Sequence, residues 1–137
     1  MSRPAISLSL LLALAIAAPA VYGQEGHPLV GSWHGDWGPA GSADRMDLTM
    51  IIDWDGSELI GLVNPVTDRS MLENAELNSG DWTVQFEVNV RDRSGTTRRC
   101  IANGALDKLG SDRRELAGAW NCDGIEAEFH IIRDRDY

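Results

Sequence analysis

The stretch that decides the fold is MDLTMIIDWDGSELIGLV, residues 46–63. Apolar and polar side chains alternate through its first half, which is typical of a β-strand with one buried face. Asp55-Gly56 follows and is a strong signal for a two-residue hairpin turn. Folding the chain there places Ile52 opposite Leu59, so that the apolar side chains of both strands share one face. The stretch therefore predicts an antiparallel hairpin with a single apolar side.

The same pattern recurs along the rest of the chain. WTVQFEVNV, residues 82–90, alternates almost without a break, and a turn at Ser79-Gly80 pairs Leu77 with Trp82. The later turns predict three further cross-strand pairs: Val88 with Cys100, Leu106 with Leu116, and Trp120 with Ala127.

Eight strands result, each joined to the next by a hairpin or a short loop. Their predicted bounds are 30–37, 45–54, 58–64, 70–77, 82–91, 97–107, 115–122 and 125–133. Closing such a sheet removes its edges and buries its apolar face. The sequence therefore predicts an all-β, eight-stranded antiparallel up-and-down barrel. A two-sheet β-sandwich built from the same hairpins is the alternative.

The start of the chain has the form of a secretory signal peptide. Arg3 precedes an apolar run over residues 6–18, and small residues follow up to Gly23. We expect residues 1–23 to be removed, which leaves residues 24–137 as a single barrel domain that is periplasmic or secreted. We expect no membrane insertion after cleavage.

The two cysteines of the chain, Cys100 and Cys122, face each other across one predicted hairpin. Directly opposed residues on antiparallel strands are close enough for a bridge after modest adjustment. In an oxidising compartment an even pair of this kind predicts a structural disulfide.

Composition narrows the classes of function. The 137 residues carry 21 acidic and 12 basic side chains, for a net charge of −9, which disfavours nucleic acid as a partner. The three histidines have no metal-ligand spacing, and no nucleophile accompanies them in a catalytic pattern. We expect no catalytic residue, no metal and no cofactor. The pattern is that of a non-enzymatic protein, and the sequence leaves its oligomeric state open.

Glycine lies two residues before tryptophan in Gly31-Ser32-Trp33 and again in Gly118-Ala119-Trp120. An inward indole needs space, and a glycine on the same face of the strand provides it. Such tryptophans either pack the barrel or wall a cavity for a small ligand. On the second interpretation the candidate cavity residues are Trp33, Trp37, Glu73, Trp82, Phe86 and Trp120.

Glu73 is the anomaly in this pattern. The register set at Ser79-Gly80 places it opposite Phe86, inside the barrel, where a carboxylate needs a partner or a proton. One interpretation is a polar anchor for a ligand. The other is a bulge or register shift that turns Glu73 outward.

Basic side chains collect near one predicted end of the barrel, beside the loops at 38–44, 65–69, 92–96 and 123–124. The residues of this candidate rim are Arg45, Arg69, Arg91, Arg93, Arg98 and Arg99. The rim is either a solvated face of mixed charge or a surface that steers an anionic ligand or an acidic protein.

With Gly31-Ser32-Trp33 on its first strand and seven further up-and-down strands, the chain resembles the calycin-type barrels: lipocalins, avidins and small bacterial metalloprotease inhibitors. Its size, export signal and single disulfide are most similar to the inhibitors. The resemblance implies either a small molecule bound in the barrel or a secreted protease bound at its rim. In the inhibitors an N-terminal segment enters the protease, and residues 24–29 would correspond to it.

The sequence thus predicts an exported binding protein whose partner is a small apolar or amphipathic ligand. The alternative is an inhibitor or protein-interaction module that acts on a secreted protein through one barrel end.

Overall fold

The computed structural model describes residues 27–133, and the signal peptide predicted for residues 1–23 lies outside this range. The described chain forms nine β-strands. They are β1 (Gly31–Gly38), β2 (Met46–Trp54), β3 (Leu59–Val63), β4 (Ser70–Met71), β5 (Glu73–Asn78), β6 (Thr83–Arg91), β7 (Thr97–Asp107), β8 (Glu115–Cys122) and β9 (Ile125–Arg133).

The strands form one antiparallel sheet that curls into a nearly closed barrel. Their order is β4-β3-β2-β1-β9-β8-β7-β6-β5, so the first and last strands pair, with Trp37 opposite Phe129. β4 and β5 lie at the two ends of this order, yet only Leu72 separates them in the chain. The amide of Leu72 donates to the carbonyl of Gly61 on β3 at 3.0 Å, while β5 pairs with β6. The barrel prediction is confirmed, with the predicted strand 70–77 divided at Leu72.

Three hairpins have the predicted register. Between β6 and β9 the three predicted pairs are all observed: Val88 with Cys100, Leu106 with Leu116, and Trp120 with Ala127. The β8–β9 turn consists of Asp123 and Gly124, whose φ angles are 54° and 86°. Two consecutive left-handed residues are what the tightest hairpin turn requires, and glycine adopts this conformation at little cost.

The β2–β3 hairpin is shifted by two residues from the prediction. Leu59 lies opposite Trp54 rather than Ile52, because the connection has four residues instead of two. The carboxylate of Asp55 accepts the amides of Ser57 and Glu58, both at 2.8 Å, and these bonds stabilise the wider loop. A register shift of two residues keeps every side chain on its predicted face, so the predicted apolar face is still correct.

The β5–β6 hairpin is shifted in the same way, and the prediction that Trp82 faces the interior is wrong. Leu77 pairs with Val84, and Trp82 lies in the loop with φ of 58° and 36% of its surface exposed. Asp81 accepts the amide of Thr83 at 3.0 Å, which stabilises this loop.

Beyond that loop an irregularity between Glu73 and Glu76 moves the register back by one residue, which leaves it one residue from the prediction. Glu73 therefore lies opposite Glu87 instead of Phe86 and is exposed. Its carboxylate contacts the guanidinium of Arg99 at 2.6 Å on the outer face. Of the two interpretations given to Glu73, the bulge is the one observed.

Four aromatic side chains occupy the centre of the barrel: Trp33, Phe86, Trp120 and Phe129, each at most 2% exposed. Phe129 links two of the others, with ring centroids 5.6 Å from Phe86 and 5.5 Å from Trp120. Aliphatic side chains from the inner face of the sheet surround them, so the interior is a hydrophobic core.

The inward glycines bring strand backbones together, a role different from the predicted one of making room for indoles. A Cβ added to Gly35 would lie 1.9 Å from the carbonyl oxygen of His130 on β9. One added to Gly118 would lie 2.1 Å from the carbonyl oxygen of Asn103 on β7. Real Cβ atoms do not approach backbone so closely, so glycine is needed at both positions.

The segment before β1 closes one end of the barrel. Leu29 is 1% exposed, and its carbonyl accepts the indole N–H of Trp33 at 2.8 Å. The guanidinium of Arg114 donates to the carbonyl of Pro28 at 3.0 Å. This end, which also carries the β5–β6 loop with Trp82, is called the closed end below.

Cys100 and Cys122 form the predicted disulfide, which ties β7 to β8. A disulfide is consistent with an oxidising, extracytoplasmic location. No helix formed by residues 27–133 has the length and hydropathy needed to span a bilayer.

Candidate ligand-binding site

The end of the barrel opposite Leu29 carries a pocket of about 290 Å3, called the mouth pocket below. It lies among the β1–β2, β6–β7 and β8–β9 connections. Its apolar lining comes from Trp37, Met46, Cys122, Ile125 and Ala127, and its charged lining from Asp44, Asp92, Arg93, Arg98 and Glu126. The pocket therefore combines an apolar floor with a charged border.

Trp37 is the cavity candidate that reaches this pocket. It is 8% exposed, and its ring lies edge-on to that of Trp120, with centroids 5.0 Å apart. Trp33, Phe86 and Trp120 are core residues below it, each no more than 1% exposed. The accessible aromatic surface at this end thus belongs to Trp37.

Trp120 has a polar atom that the core does not satisfy. Its indole Nε1 is buried and has no hydrogen-bond acceptor among the described residues, unlike that of Trp33, which reaches the carbonyl of Leu29. An unmade hydrogen bond of a buried donor costs about 1–3 kcal/mol. The buried Nε of Arg133, at the closed end, likewise has no partner in the described chain, so each end of the barrel contains one such donor.

Most of the predicted rim arginines form ion pairs, which makes this end a surface of mixed charge. Arg45 contacts Asp36 at 2.7 Å and Glu128 at 3.1 Å. The other pairs are Arg91 with Asp68, Arg93 with Asp44, Arg98 with Asp92, and Arg99 with both Glu73 and Glu87. Arg69 lies apart from the mouth, beside a separate depression that Asp68 and Arg91 also line.

Asp92 organises the β6–β7 loop. One of its carboxylate oxygens accepts the hydroxyl of Ser94 and the amides of Ser94 and Thr96, and the other accepts Nε of Arg98 at 2.7 Å. The Ser94 hydroxyl and the Arg98 guanidinium together hold the pKa of Asp92 far below its usual value. The carboxylate is therefore charged at neutral pH and keeps Arg98 at the border of the pocket.

The sequence identified Trp37, Arg93 and Arg98 among the mouth residues but missed several others. Met46, Ile125 and Ala127 continue the inward alternation of β2 and β9 to the first residue of each strand. That continuation was the available signal, since an inward side chain at the end of a strand lines the opening of a barrel.

A larger depression, of about 910 Å3, lies on the barrel wall beside β5–β8. Its lining includes polar, exposed side chains such as Glu76, Gln85 and Asn103, which the alternation turns away from the core. A solvated surface explains it, and we place the candidate site at the mouth, where the lining reaches buried aromatic residues.

The fold defines this protein as a nearly closed antiparallel β-barrel, packed at one end and carrying a pocket at the other. A scan against protein-family models, a search of curated proteins and a search of solved structures each found no match.

Proposed function

We propose that the protein is an exported, non-enzymatic binding protein that holds a small amphipathic ligand in the mouth pocket. The observation that carries the proposal is the lining of that pocket, which combines Trp37 and Met46 with Arg98. A mostly apolar concave surface with a few polar groups is typical of small-molecule sites. At about 290 Å3 the pocket suits a small ligand.

The proposal moves the ligand from the position that the sequence suggested. Trp33, Phe86 and Trp120 form the core, so a ligand among them would have to displace packed rings. At the mouth a ligand contacts Trp37 without disturbing the core.

Export and membership of the calycin-type barrels are parts of the same proposal. Export is supported by the signal-like pattern of residues 1–23 and by the Cys100–Cys122 disulfide. The calycin assignment is supported by the up-and-down strand order and by Gly31-Ser32-Trp33 at the start of β1.

The proposal is tested with N-phenyl-1-naphthylamine, an uncharged apolar probe that fluoresces when it leaves water. We expect saturable binding to the protein and a rise in its melting temperature, because a ligand that binds only the folded state stabilises it. Trp37→Ala should abolish both effects. Trp82→Ala, at the closed end, is the matched control and should abolish neither.

Loss of binding in both variants, or in neither, would contradict a site at the mouth. Absence of saturable probe binding to the parent protein would contradict the proposed function itself.

A second candidate function is the capture of an apolar side chain of a secreted protein at the same mouth. The favouring observation is Ile125, which is 54% exposed beside the pocket and surrounded by charged residues. An apolar centre within a polar border is typical of protein interfaces. Ile125→Ser should then weaken the protein complex by more than it weakens binding of the small probe, since Ile125 also lines the pocket.

Within the described chain, the segment corresponding to the inhibitory segment of the protease inhibitors is packed against the barrel. Leu29 lies in the core, and the carbonyl of Pro28 accepts a hydrogen bond from Arg114. We therefore assign any protein interface to the mouth.

A further inference from the structure

Arg98 occupies an inward-facing position on β7. Alternate residues of this strand, Cys100, Ala102 and Leu106, are buried on the inner face, and Arg98 continues their row to the mouth. Its side chain is 29% exposed and lines the mouth pocket. A cation therefore stands where the apolar core meets solvent.

The contacts of Arg98 use one edge of its guanidinium. Nε donates to Asp92, whereas neither terminal nitrogen has a hydrogen-bond partner among residues 27–133. Arg45 differs, because its Nε and both of its terminal nitrogens donate to Asp36 or Glu128. Asp92 thus holds Arg98 in place, while both terminal nitrogens of Arg98 remain available to a ligand.

We propose that the ligand of the mouth pocket is an amphipathic monocarboxylic acid whose carboxylate is bound by the terminal nitrogens of Arg98. This inference rests on the proposed function. The two terminal N–H groups form a planar fork that matches the two oxygens of a carboxylate. The apolar body of the acid then lies against Trp37 and Met46, which line the same pocket.

The remaining charges at the mouth favour a single negative charge on the ligand. Asp44, Asp92 and Glu126 line the pocket with Arg93 and Arg98, and the whole chain carries a net charge of −9. Arg93 does not offer a second fork of this kind, because one of its terminal nitrogens contacts Asp44 at 2.7 Å and donates to the carbonyl of Arg45 at 3.0 Å. These five side chains sum to a charge of −1, so they repel the second negative charge of a phosphate monoester.

The test compares ligands that share one apolar body. Isothermal titration measures the affinities of octanoate, 1-octanol and octyl phosphate for the parent protein. We expect octanoate to bind on the order of tenfold more tightly than octanol, as a charge-assisted hydrogen bond allows. Octyl phosphate should bind more weakly than octanoate.

Arg98→Gln removes the fork and should abolish the preference for octanoate over octanol. Arg98→Lys keeps the charge without the planar fork and should retain part of the preference. Arg91→Gln is the control, since it removes the same charge outside the lining of the mouth pocket and should retain the full preference. Circular dichroism and melting curves establish that each variant is folded.

The inference and the proposed function fail in different ways. Equal affinities for octanoate and octanol, or a preference that survives Arg98→Gln, would overturn the inference. The proposed function would still be supported in that case if the uncharged probe binds. If neither the uncharged probe nor any octyl compound binds, both are overturned.

Discussion

Trp33 and Trp120, the two most deeply buried tryptophans, differ in what their indole N–H groups contact. That of Trp33 donates to the carbonyl of Leu29 and so attaches the segment that closes one end of the barrel. That of Trp120 has no acceptor in the described chain. Trp33 and Trp120 are therefore similarly buried, but their indole N–H groups contribute differently to stability.

We expect Trp33→Phe to lower the free energy of unfolding by about 1 kcal/mol more than Trp120→Phe does, because it alone breaks a made hydrogen bond. Both substitutions remove the same volume from a well-packed position, so the packing losses largely cancel. Urea unfolding followed by circular dichroism measures the difference. Equal losses, or a greater loss for Trp120→Phe, would show that the Leu29 contact contributes nothing.

A second prediction at the residue scale concerns Asp92. Hydrogen bonds from Ser94 and Arg98 lower its pKa in the folded state, so its charged form stabilises the fold. That contribution is fully present above the unfolded pKa, about 4, and is lost as pH falls below it. Asp92→Asn should therefore destabilise the protein at pH 7 and lose this effect progressively as the pH is lowered below 4.

Ser94→Ala removes one of these hydrogen bonds and should change the pH dependence in the same direction as Asp92→Asn, by less. Melting temperatures between pH 2 and pH 7 provide the measurement. A constant gap between Asp92→Asn and the parent across that range would contradict the role given to the carboxylate.

At the scale of strands, the inner glycines set how closely the barrel can close. A Cβ on Gly35 would meet the backbone of β9 at His130, the strand that pairs with β1 to complete the barrel. Backbone cannot yield as a flexible side chain can. The β1–β9 contact therefore depends on the absence of a side chain at this position.

Gly35→Ala is expected to destabilise the protein by about 3 kcal/mol or more, since it overpacks a rigid backbone contact. Gly110→Ala is the control, because a Cβ there meets nothing within 4 Å, and it should change stability little. Chemical denaturation measures both. A mild effect of Gly35→Ala, similar to that of Gly110→Ala, would mean that β1 and β9 are held less closely than described.

The hairpins show which parts of the fold were readable from the sequence. Asp123 and Gly124 both adopt positive φ and form the two-residue turn that an Asp-Gly pair favours, so the pairing of Trp120 with Ala127 was predictable. At Asp55 the carboxylate bonds loop amides and stabilises a longer connection, which a dipeptide rule does not capture. The error was two residues, so the strand kept its correct face.

The position of Glu73 could not be read in this way. Its outward orientation requires a one-residue irregularity, which Asn74 allows by adopting a φ of 50°. The stabilising contact is with Arg99 on β7, a strand that is not adjacent to β5 in the sheet. A pattern confined to one hairpin contains no information about such a contact.

The sequence predicted which types of residue form the candidate site, but it did not predict where in the barrel the site lies. The alternation identified Trp33, Trp37 and Trp120 as inward, and the loop positions identified Arg98 as part of a rim. Whether inward aromatic rings enclose a cavity or fill it depends on their packing in three dimensions. The structure packs Trp33 and Trp120 into the core and leaves the accessible surface at Trp37.

At the scale of the whole molecule, the two ends of the barrel have different structures. Leu29 and the bonds around it close one end, whereas the other presents Trp37 and Arg98 around a pocket. A barrel with one packed end and one recessed end has a single natural entrance. We therefore expect ligand binding to occur at the mouth.

The five tryptophans of the chain allow one direct measurement of this claim, because each contributes one indole N–H resonance to a proton–nitrogen correlation spectrum. On titration with octanoate we predict the largest shift for Trp37 and a smaller one for Trp120, whose ring it contacts. Trp33, Trp54 and Trp82 should be unaffected. A largest shift at Trp33 or at Trp82, or no shift at Trp37, would contradict the account.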